Sequence, residues 1–304
     1  MANTNNLLSI AIPVYNFGAF LPECLESLLD ESFENNVEVL VFDGCSTDDT
    51  QLVVRSYQQH YPNLRYVKAQ KKGGIDFDMA KSVELVSSRY CWLFSGDDVI
   101  QPRSIKSILS IIDKHEPDLI LCRHNECHFD LNVIKDWPVL DIQEDRIFQL
   151  DNEGECSDYL SLALTSEAFF SFMSGLIVKR ETWLRVQLNS DLDGSHWAHI
   201  GRLWSLTKSP FKLYYKHEVI LDRRGGNDSF SKDGMLSRLK IQIVGLINAI
   251  LTVFESNSEA VQNLRRVIKA EIYPDWVNAV RANLLVMNAP QEQHDELVSL
   301  LKKL

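Results

Sequence analysis

Short apolar runs alternate with helical patterns over the first 120 residues, and this alternation constrains the fold more than any other feature of the sequence. Continuous apolar runs are typical of strands that are buried on both faces, and the intervening helices are the crossovers that join parallel strands. We therefore predict an α/β fold with a mostly parallel sheet and helices on both faces. The predicted strands are Leu7–Val14, Val37–Phe42, Leu64–Lys68, Tyr90–Phe94 and Leu119–Cys122.

Proline and capping residues indicate where the helices begin. Pro22 stands at a helix start, and Pro102 opens a predicted helix over 103–114. Ser46 and Asp49 have the spacing of a capping box for a helix over 47–61. Three more helices are predicted near the C-terminus, at Leu236–Phe254, Ser258–Ile272 and Gln291–Leu304.

The charge balance and the apolar pattern argue against two classes of partner. The chain has 31 Lys and Arg against 42 Asp and Glu, a formal net charge of −11, whereas nonspecific nucleic-acid binding depends on cationic contacts with phosphates. The longest apolar stretch, 241–254, is shorter than the roughly 18 residues of a membrane span. The polar start of the chain lacks the layout of a signal peptide. Six scattered cysteines indicate a reducing compartment, so we expect a cytoplasmic protein.

Polar side chains suited to chemistry follow the predicted strand ends. Asn16 and Asp43 come just after the first two strands, Asp76 and Asp78 lie after the third, and Asp97–Asp98 follows the fourth. Open α/β sheets bind their ligands at the carboxyl ends of the strands. Four segments are therefore expected to point at one crevice.

The segment Phe94-Ser95-Gly96-Asp97-Asp98 ends a buried strand with two adjacent carboxylates, and Gly96 allows a sharp turn. Two like charges are costly to bury side by side unless a cation or hydrogen-bond donors compensate them. A hard divalent ion such as Mn²⁺ or Mg²⁺ does this and also neutralises a diphosphate. The alternative is a surface turn in which Asp98 caps the helix that Pro102 opens.

A second cluster has residue types that bind zinc: Cys122, His124, Cys127 and His128. Its spacing matches no common zinc finger or zinc ribbon. We therefore favour a strand end with incidental polar residues over a zinc site.

Three segments together resemble family 2 glycosyltransferases of the GT-A fold. They are Ser9–Asn16, Glu38–Thr50 and Ser95–Asp98, and they come in the order and spacing of that family. The resemblance is strong over residues 7–122 and weaker to about residue 232. It implies a Rossmann-like domain that moves a sugar from a nucleotide-diphosphate sugar to a glycan acceptor with the help of a divalent metal.

The resemblance also implies roles for particular residues. Asp97 matches the last Asp of the family's Asp-x-Asp metal motif, and Asp98 follows it. Ser95 stands where the family has the first Asp, which weakens the expected contact with ribose or metal at that position. Ser95 and Gly96 are expected to line the nucleotide pocket. Residues at or just after the ends of the first two strands are expected there too: Pro13, Tyr15, Asn16 and Asp43.

The segment Gly73–Lys81 departs from the family, because many members have Ala-Arg-Asn near the position where this chain has Asp76, Asp78 and Lys81. With Tyr90–Asp98, it resembles the abequosyltransferase-type subgroup of bacterial O-antigen synthesis. That subgroup implies a CDP-dideoxyhexose donor such as CDP-abequose, and a lipid-linked acceptor at the inner face of the cytoplasmic membrane. Both aspartates and the lysine are expected at the donor, although helix capping explains the aspartates equally well.

The catalytic base is predicted by position. In the family an Asp that opens a helix, six residues before an Arg, removes the proton of the acceptor hydroxyl. Counting back from Arg202 gives His196, and Asp193 and Asp191 are its rivals. His199 lies one helical turn from His196 and is predicted as a metal ligand or a structural residue.

A pair of arginines, Arg223 and Arg224, precedes a flexible Gly-Gly turn. Guanidinium groups on such a loop can fold over a diphosphate, and the alternative is an exposed basic turn. Family members often carry Ser-x-Ser here, which corresponds to Ser229 and Ser231.

We predict two domains. A catalytic domain covers 1–231, with a nucleotide-sugar half over 1–122 and an acceptor half over 123–231, and a C-terminal helical region covers 232–304. The apolar face of 236–254 is expected to pack on the catalytic domain, with a homodimer contact or a peripheral membrane contact as alternatives.

Two other functions stay open on the sequence alone. Ser95 in place of the first motif Asp favours a non-catalytic sugar-nucleotide-binding protein. A nucleotidyltransferase would carry a basic phosphate loop after the first strand, but Tyr15–Phe20 contains no Lys or Arg.

Overall fold

A central sheet with helices on both faces organises the protein, and the computed structural model describes it for residues 7–228, 230 and 233–304. Alternate residues of each strand enter two different hydrophobic cores, as the pleat of a strand requires. In the first strand, Ile10 and Ile12 lie in one core and Ala11 lies in the other. The predicted α/β fold with helices on both faces is therefore confirmed.

The elements are numbered in chain order. The strands are β1 (Leu8–Val14), β2 (Glu38–Asp43), β3 (Leu64–Lys68), β4 (Tyr90–Leu93), β5 (Val99–Ile100), β6 (Leu119–Cys127), β7 (Val133–Trp137), β8 (Arg146–Gln149), β9 (Leu176–Lys179) and β10 (Lys212–Arg223). The helices are α1 (Leu21–Glu34), α2 (Thr50–Gln58), α3 (Ile75–Leu85), α4 (Ser104–His115), α5 (Glu153–Ser161), α6 (Arg180–Leu184), α7 (Ala198–Leu206), α8 (Met235–Lys240), α9 (Leu246–Leu251), α10 (Glu259–Ile272), α11 (Asp275–Val286) and α12 (Gln291–Leu301). A π-helical turn, Ile241–Gly245, joins α8 to α9.

The sheet is mixed rather than mostly parallel, which corrects the prediction for its second half. Its order is β3-β2-β1-β4-β9-β6-β10-β5, with β7 beside β6 and β8 beside β10. The strands β1 to β4 pair in parallel as predicted. In contrast, β9 enters antiparallel between β4 and β6, and β5, β7 and β8 are antiparallel to their neighbours. The strand–helix alternation stops after β6, and a strand such as β7 that follows by a short turn needs no crossover.

The predicted capping box is also wrong. The helix α2 begins at Thr50, and neither Ser46 nor Asp49 caps it through its side chain. Asp48 instead accepts hydrogen bonds from the Thr50 backbone N–H, at 3.1 Å, and from the Thr50 hydroxyl. Ser46 faces the other way, because its Oγ accepts a hydrogen bond from the backbone N–H of Asn16 at 2.8 Å.

The C-terminal helices pack on the catalytic sheet. The side chains of Leu239, Ile243, Leu246 and Ile250 are buried in the same core that holds α3 and α7. The apolar face predicted over 236–254 is therefore covered within the chain, as the first of its three interpretations expected. The domain boundary near residue 231 stays a prediction. In the part of the chain that the structure describes, no helix is long and apolar enough to cross a membrane.

This shared core predicts that a cavity in α9 destabilises the whole protein. Leu246→Ala should lower the free energy of unfolding by about 2–5 kcal/mol, because Leu246 is fully buried. Leu285→Ala is the control on a neighbouring C-terminal helix, where the side chain is 69% exposed, and it should change the value by less than about 0.5 kcal/mol. Urea unfolding followed by circular dichroism measures both. Equal effects of the two variants would show that α9 is not part of the catalytic core.

Candidate active site

The carboxyl ends of three adjacent parallel strands meet at one edge of the sheet. Asp43 ends β2, Gly96 and Asp97–Asp98 follow β4, and both strands flank β1. A side chain at position 96 would meet Val14 Cγ1 at 2.8 Å, so glycine is required for this close approach. The convergence of acidic strand ends that the sequence predicts is thus present.

Asp98 is held by two segments that come from the second half of the chain. It is 2% exposed, and its Oδ2 accepts a hydrogen bond from Ser174 Oγ at 2.6 Å. Its Oδ1 accepts a hydrogen bond from the backbone N–H of Arg224 at 3.0 Å. Burial, with the neighbouring Asp97 charge, raises the pKa of Asp98 to about 8. Burial therefore outweighs the two hydrogen bonds, and repulsion from Asp97 adds to it.

Asp97 is the second carboxylate of this turn and is 8% exposed. One of its oxygens pairs with the Ser95 hydroxyl, and the other accepts a hydrogen bond from Asn227 Nδ2 at 2.8 Å. Ser95, which stands in place of a motif aspartate, thus orients Asp97. Among the described residues, no Lys or Arg forms an ion pair with Asp97 or Asp98. Adjacent, undercompensated oxygen ligands fit a hard divalent cation.

The predicted metal ligand His199 does not join this pair. Over residues 7–228, 230 and 233–304, no group of three or more His, Cys, Asp or Glu side chains is placed to hold a metal ion. His199 lies on the inner face of α7, where its Nε2 is 3.0 Å from the carbonyl oxygen of Phe170. Burial lowers the pKa of His199 to about 4, so the ring is neutral and structural. The candidate zinc ligands Cys122, His124, Cys127 and His128 are likewise not gathered into such a group.

The expected nucleotide pocket is built around a fully buried Asp43. Its Oδ1 accepts a hydrogen bond from the backbone N–H of Ser46 at 2.6 Å, and its Oδ2 accepts one from the Tyr66 hydroxyl. Asn16 has a left-handed backbone and accepts a hydrogen bond from the Thr47 backbone N–H through Oδ1 at 2.8 Å. Asn16 and Asp43 therefore fix the loop after β2. Pro13 is buried in β1, beside this loop.

Asp78 carries the clearest unmet hydrogen-bonding capacity in this pocket. Its side chain lies against Gly44, where a Cβ atom would stand 2.3 Å from Asp78 Oδ2. Its Oδ1 is buried and has no hydrogen-bond partner among the described residues. Burial, with the charge of Asp43, raises the pKa of Asp78 to about 6. Lys72, which no sequence pattern singled out, has its Nζ 3.9 Å from the ring centre of Tyr15. Its charge partly offsets the rise in the pKa of Asp78.

Asp76 serves the helix α7 rather than an open pocket. Its two oxygens accept hydrogen bonds from the backbone N–H groups of His196 and Ala198, each at 3.0 Å. These are orphan donors of a helix start, which a carboxylate satisfies well. The capping alternative therefore accounts for Asp76, although the helix that it caps is not its own.

His196 stands at that helix start with a left-handed backbone, φ 71°. Its ring centre is 4.5 Å from the ring of Phe230, and its Nδ1 is buried with no hydrogen-bond partner among the described residues. The rival Asp193 is exposed, and so is Asp191. His196 thus offers a nitrogen with free capacity, held in place through the backbone by Asp76.

Two predicted donor contacts are not available in this structure. The Arg224 guanidinium is buried and already bonds Glu23, the carbonyl oxygen of Asp97 at 3.0 Å and the carbonyl oxygen of Phe129. It therefore holds the Asp97–Asp98 turn, called the acidic turn below, in place instead of facing a diphosphate. Lys81 lies on the outside of α3 and pairs with Glu84 at 3.0 Å.

Arg223 remains close to the site. Its NH1 donates to Glu126 Oε2 at 3.1 Å, and its guanidinium carbon lies 5.4 Å from the ring centre of Phe172. Nearby carboxylates, foremost Glu126, outweigh burial and raise the pKa of Arg223. The serines at 229 and 231 lie outside the described residues.

Comparison with known proteins shows which proteins the chain resembles. Residues 9–156 match the model of glycosyl transferase family 2. The chain is also 28% identical over 272 residues to the abequosyltransferase RfbV of Salmonella typhimurium, an alignment that covers 87% of this chain and 80% of RfbV. The chain is thus a glycosyltransferase that uses a nucleotide sugar, and the nucleotidyltransferase and non-catalytic alternatives are set aside.

Solved structures show the same fold at low identity. Staphylococcus aureus TarS, residues 1–349 with UDP, superposes with a TM-score of 0.64 at 15% identity and covers 98% of this chain and 79% of that one. The mannosyltransferase PcManGT of Pyrobaculum calidifontis, solved with GDP-Man and Mn²⁺, has a TM-score of 0.55 at 11% identity and covers 100% and 88%. The predicted GT-A fold is confirmed.

The raised pKa of Asp78 predicts a pH-dependent gain from Asp78→Asn. The pKa of Asp78 is about 6 in the folded protein, against an ordinary 3.8. The protonated carboxyl therefore contributes its whole stabilisation below pH 4, and this contribution is lost as the pH rises through 6. Asp78→Asn should therefore stabilise the protein at pH 8 by about 1–3 kcal/mol and give no gain at pH 4. Urea unfolding at both values measures this. The control is Asp49→Asn, an exposed position on the same edge; an Asp78→Asn gain that does not change with pH would refute the shift.

Proposed function

We propose that the protein transfers a dideoxyhexose from a CDP-sugar, such as CDP-abequose, to a lipid-linked O-antigen intermediate. The observation that carries the donor site is the convergence of Asp43, Asp78 and Asp97–Asp98 at one sheet edge, where open α/β folds bind nucleotides. The similarity to abequosyltransferase RfbV over most of both chains supports the sugar.

One residue of the same pocket, Asp78, favours cytosine as the base of the donor. Asp78 Oδ1 is a buried acceptor without a partner, and a cytosine presents an exocyclic amino group that donates to such an oxygen. The uracil edge offers a carbonyl oxygen at that position, which a carboxylate cannot bond. Asp43 is fully buried and already accepts hydrogen bonds from Ser46 and Tyr66, whereas Asp78 Oδ1 accepts none among the described residues.

A divalent ion, Mn²⁺ or Mg²⁺, is proposed at Asp97 and Asp98. When bound, it supplies the positive charge that offsets the departing nucleotide diphosphate. The chain's own part is to hold both carboxylates in place, which Ser95, Asn227 and Ser174 do through their side chains.

His196 is proposed as the general base that takes the proton of the acceptor hydroxyl. Its partly exposed ring and its backbone anchor to Asp76 support this role. An imidazole is neutral and able to accept a proton near neutral pH. Asp193 is the alternative base, and its exposure gives it no such anchor.

The proposed location is the cytoplasm, at the inner face of the cytoplasmic membrane, where a lipid-linked acceptor would be met. The apolar face of 236–254 is buried, so a membrane or homodimer contact would need another surface. The exposed side chains Leu285, Val286 and Met287 at the end of α11 provide one.

A donor screen tests the proposed function. CDP-, UDP-, GDP- and dTDP-sugars with Mn²⁺ are compared by thermal shift, because ligand binding raises the melting temperature by mass action. We expect the CDP-sugar to give the largest shift. Asp97→Asn should abolish the Mn²⁺-dependent part of that shift and lower turnover about a hundredfold or more. Lys81→Ala is the matched control and should match wild type, since Lys81 pairs with Glu84. No shift with any donor would refute the proposal.

The base assignment predicts a loss confined to the chemical step. His196→Gln should lower kcat about a hundredfold or more while the donor KM stays within about twofold, because a general base contributes about 10²–10⁴ to the rate. Asp193→Asn is the control and should retain activity. Steady-state kinetics with the donor identified by the screen gives both numbers. A larger loss in Asp193→Asn than in His196→Gln would reverse the assignment.

A further inference from the structure

We propose that five residues beside the acidic turn form the subsite that holds the acceptor sugar, a neutral hexopyranose. They are called the acceptor platform and are His124, Trp137, Glu167, Phe172 and Arg223. This inference rests on the proposed function, since it assigns the acceptor side of the same reaction. All five lie in the half, 123–231, that the sequence assigned to the acceptor, but none of the first four was predicted individually to bind sugar.

The platform is anchored to the acidic turn by two segments. Ser174, which donates to Asp98, lies two residues after Phe172. Arg224, whose backbone N–H donates to the same carboxylate, directly follows Arg223. The two segments that position Asp98 therefore also carry platform residues. A sugar on the platform would lie beside the proposed donor diphosphate.

The platform offers aromatic rings of the kind on which pyranoses stack. The rings of His124 and Trp137 lie nearly parallel, 6.3 Å apart between centres, on paired positions of β6 and β7. Phe172 meets His124 edge-on at 4.4 Å. Trp137 and Phe172 are only partly buried, so part of this surface is open. The C–H face of a hexose is apolar and packs on such rings, while its hydroxyls need polar partners at the edge.

The polar partners are present and lack hydrogen bonds. Glu167 Oε2, His124 Nε2 and Trp137 Nε1 are each buried with no hydrogen-bond partner among the described residues. Glu167 is 6% exposed, and its Oε1 lies 3.8 Å from His124 Nε2. Three of the eleven such atoms among the described residues lie in this one cluster, where the hydroxyls of a ligand would satisfy them. Hydroxyl groups, which both donate and accept, suit a carboxylate, an imidazole and an indole N–H together.

Charge also favours a neutral sugar over an ionic one. Burial raises the pKa of Glu167, but the adjacent His124 and the charge of Arg223 outweigh it, so the pKa lies below its usual range. Arg223 is in turn paired with Glu126. The platform thus has no excess of positive charge that would attract an anionic ligand, which leaves hydrogen bonding as the main polar attraction.

The test measures sugar binding directly by saturation-transfer NMR on the full chain, with methyl glycosides of galactose, glucose and mannose as probes. We expect wild type to bind at least one of them. Glu167→Gln and Trp137→Phe should each weaken that binding about tenfold, since a charged hydrogen bond or a stacked ring contributes on that scale. Trp276→Phe on α11 and Glu116→Gln on the surface are the matched controls and should bind as wild type.

The outcomes separate the platform from the proposed function. Nucleotide binding is measured on the same samples by thermal shift, which also shows that each variant is folded. Unchanged glycoside binding in both platform variants, or no glycoside binding by a wild type that binds nucleotide, would overturn the platform and leave the donor site standing. Absence of nucleotide binding in wild type would instead count against the proposed function. With an active donor assay, Glu167→Gln should raise the acceptor KM about tenfold and leave the donor KM unchanged.

Discussion

The burial of two adjacent carboxylates at the end of β4 is the constraint on which the rest of the site depends. Asp97 and Asp98 repel each other in a place that water hardly reaches, and the cost appears as the raised pKa of Asp98. A protein keeps such a pair only if other groups hold it in place. Here the donors come from Ser174 and from the backbone of Arg224, residues far away in the sequence. The acidic turn therefore ties the two halves of the chain together.

Other charged residues near the site do not face a ligand, because they make their hydrogen bonds within the protein. The Arg224 guanidinium donates hydrogen bonds to Glu23 and to the carbonyl oxygens of Phe129 and Asp97. These bonds hold the Asp97–Asp98 turn in place. Asp76 caps the helix that begins after His196. These contacts position other residues, and the groups left with free capacity are the ones that suit substrates. Whether a side chain still has free hydrogen-bonding capacity therefore distinguishes structural residues from candidate substrate-binding residues better than residue type does.

The sequence predicted the first half of the fold well because its physics is local. Continuous apolar runs and helical spacing place β1 to β4, and the turn at Gly96 follows from them. The antiparallel entry of β9 was missed, since pairing between distant segments leaves no local pattern. For the same reason the structural role of His199 was only one of two alternatives, and the contacts of Arg224 were not predicted. Their partners, Phe170 and Glu23, are 29 and 201 residues away.

The direct test of the central claim is to locate the metal and the nucleotide on the protein. Crystals grown with CDP and Mn²⁺ are measured at the manganese absorption edge. We expect one anomalous peak within coordination distance of Asp97 or Asp98, beside the diphosphate, with the base against Asp78. A nucleotide bound elsewhere, or a peak remote from both carboxylates, would contradict it.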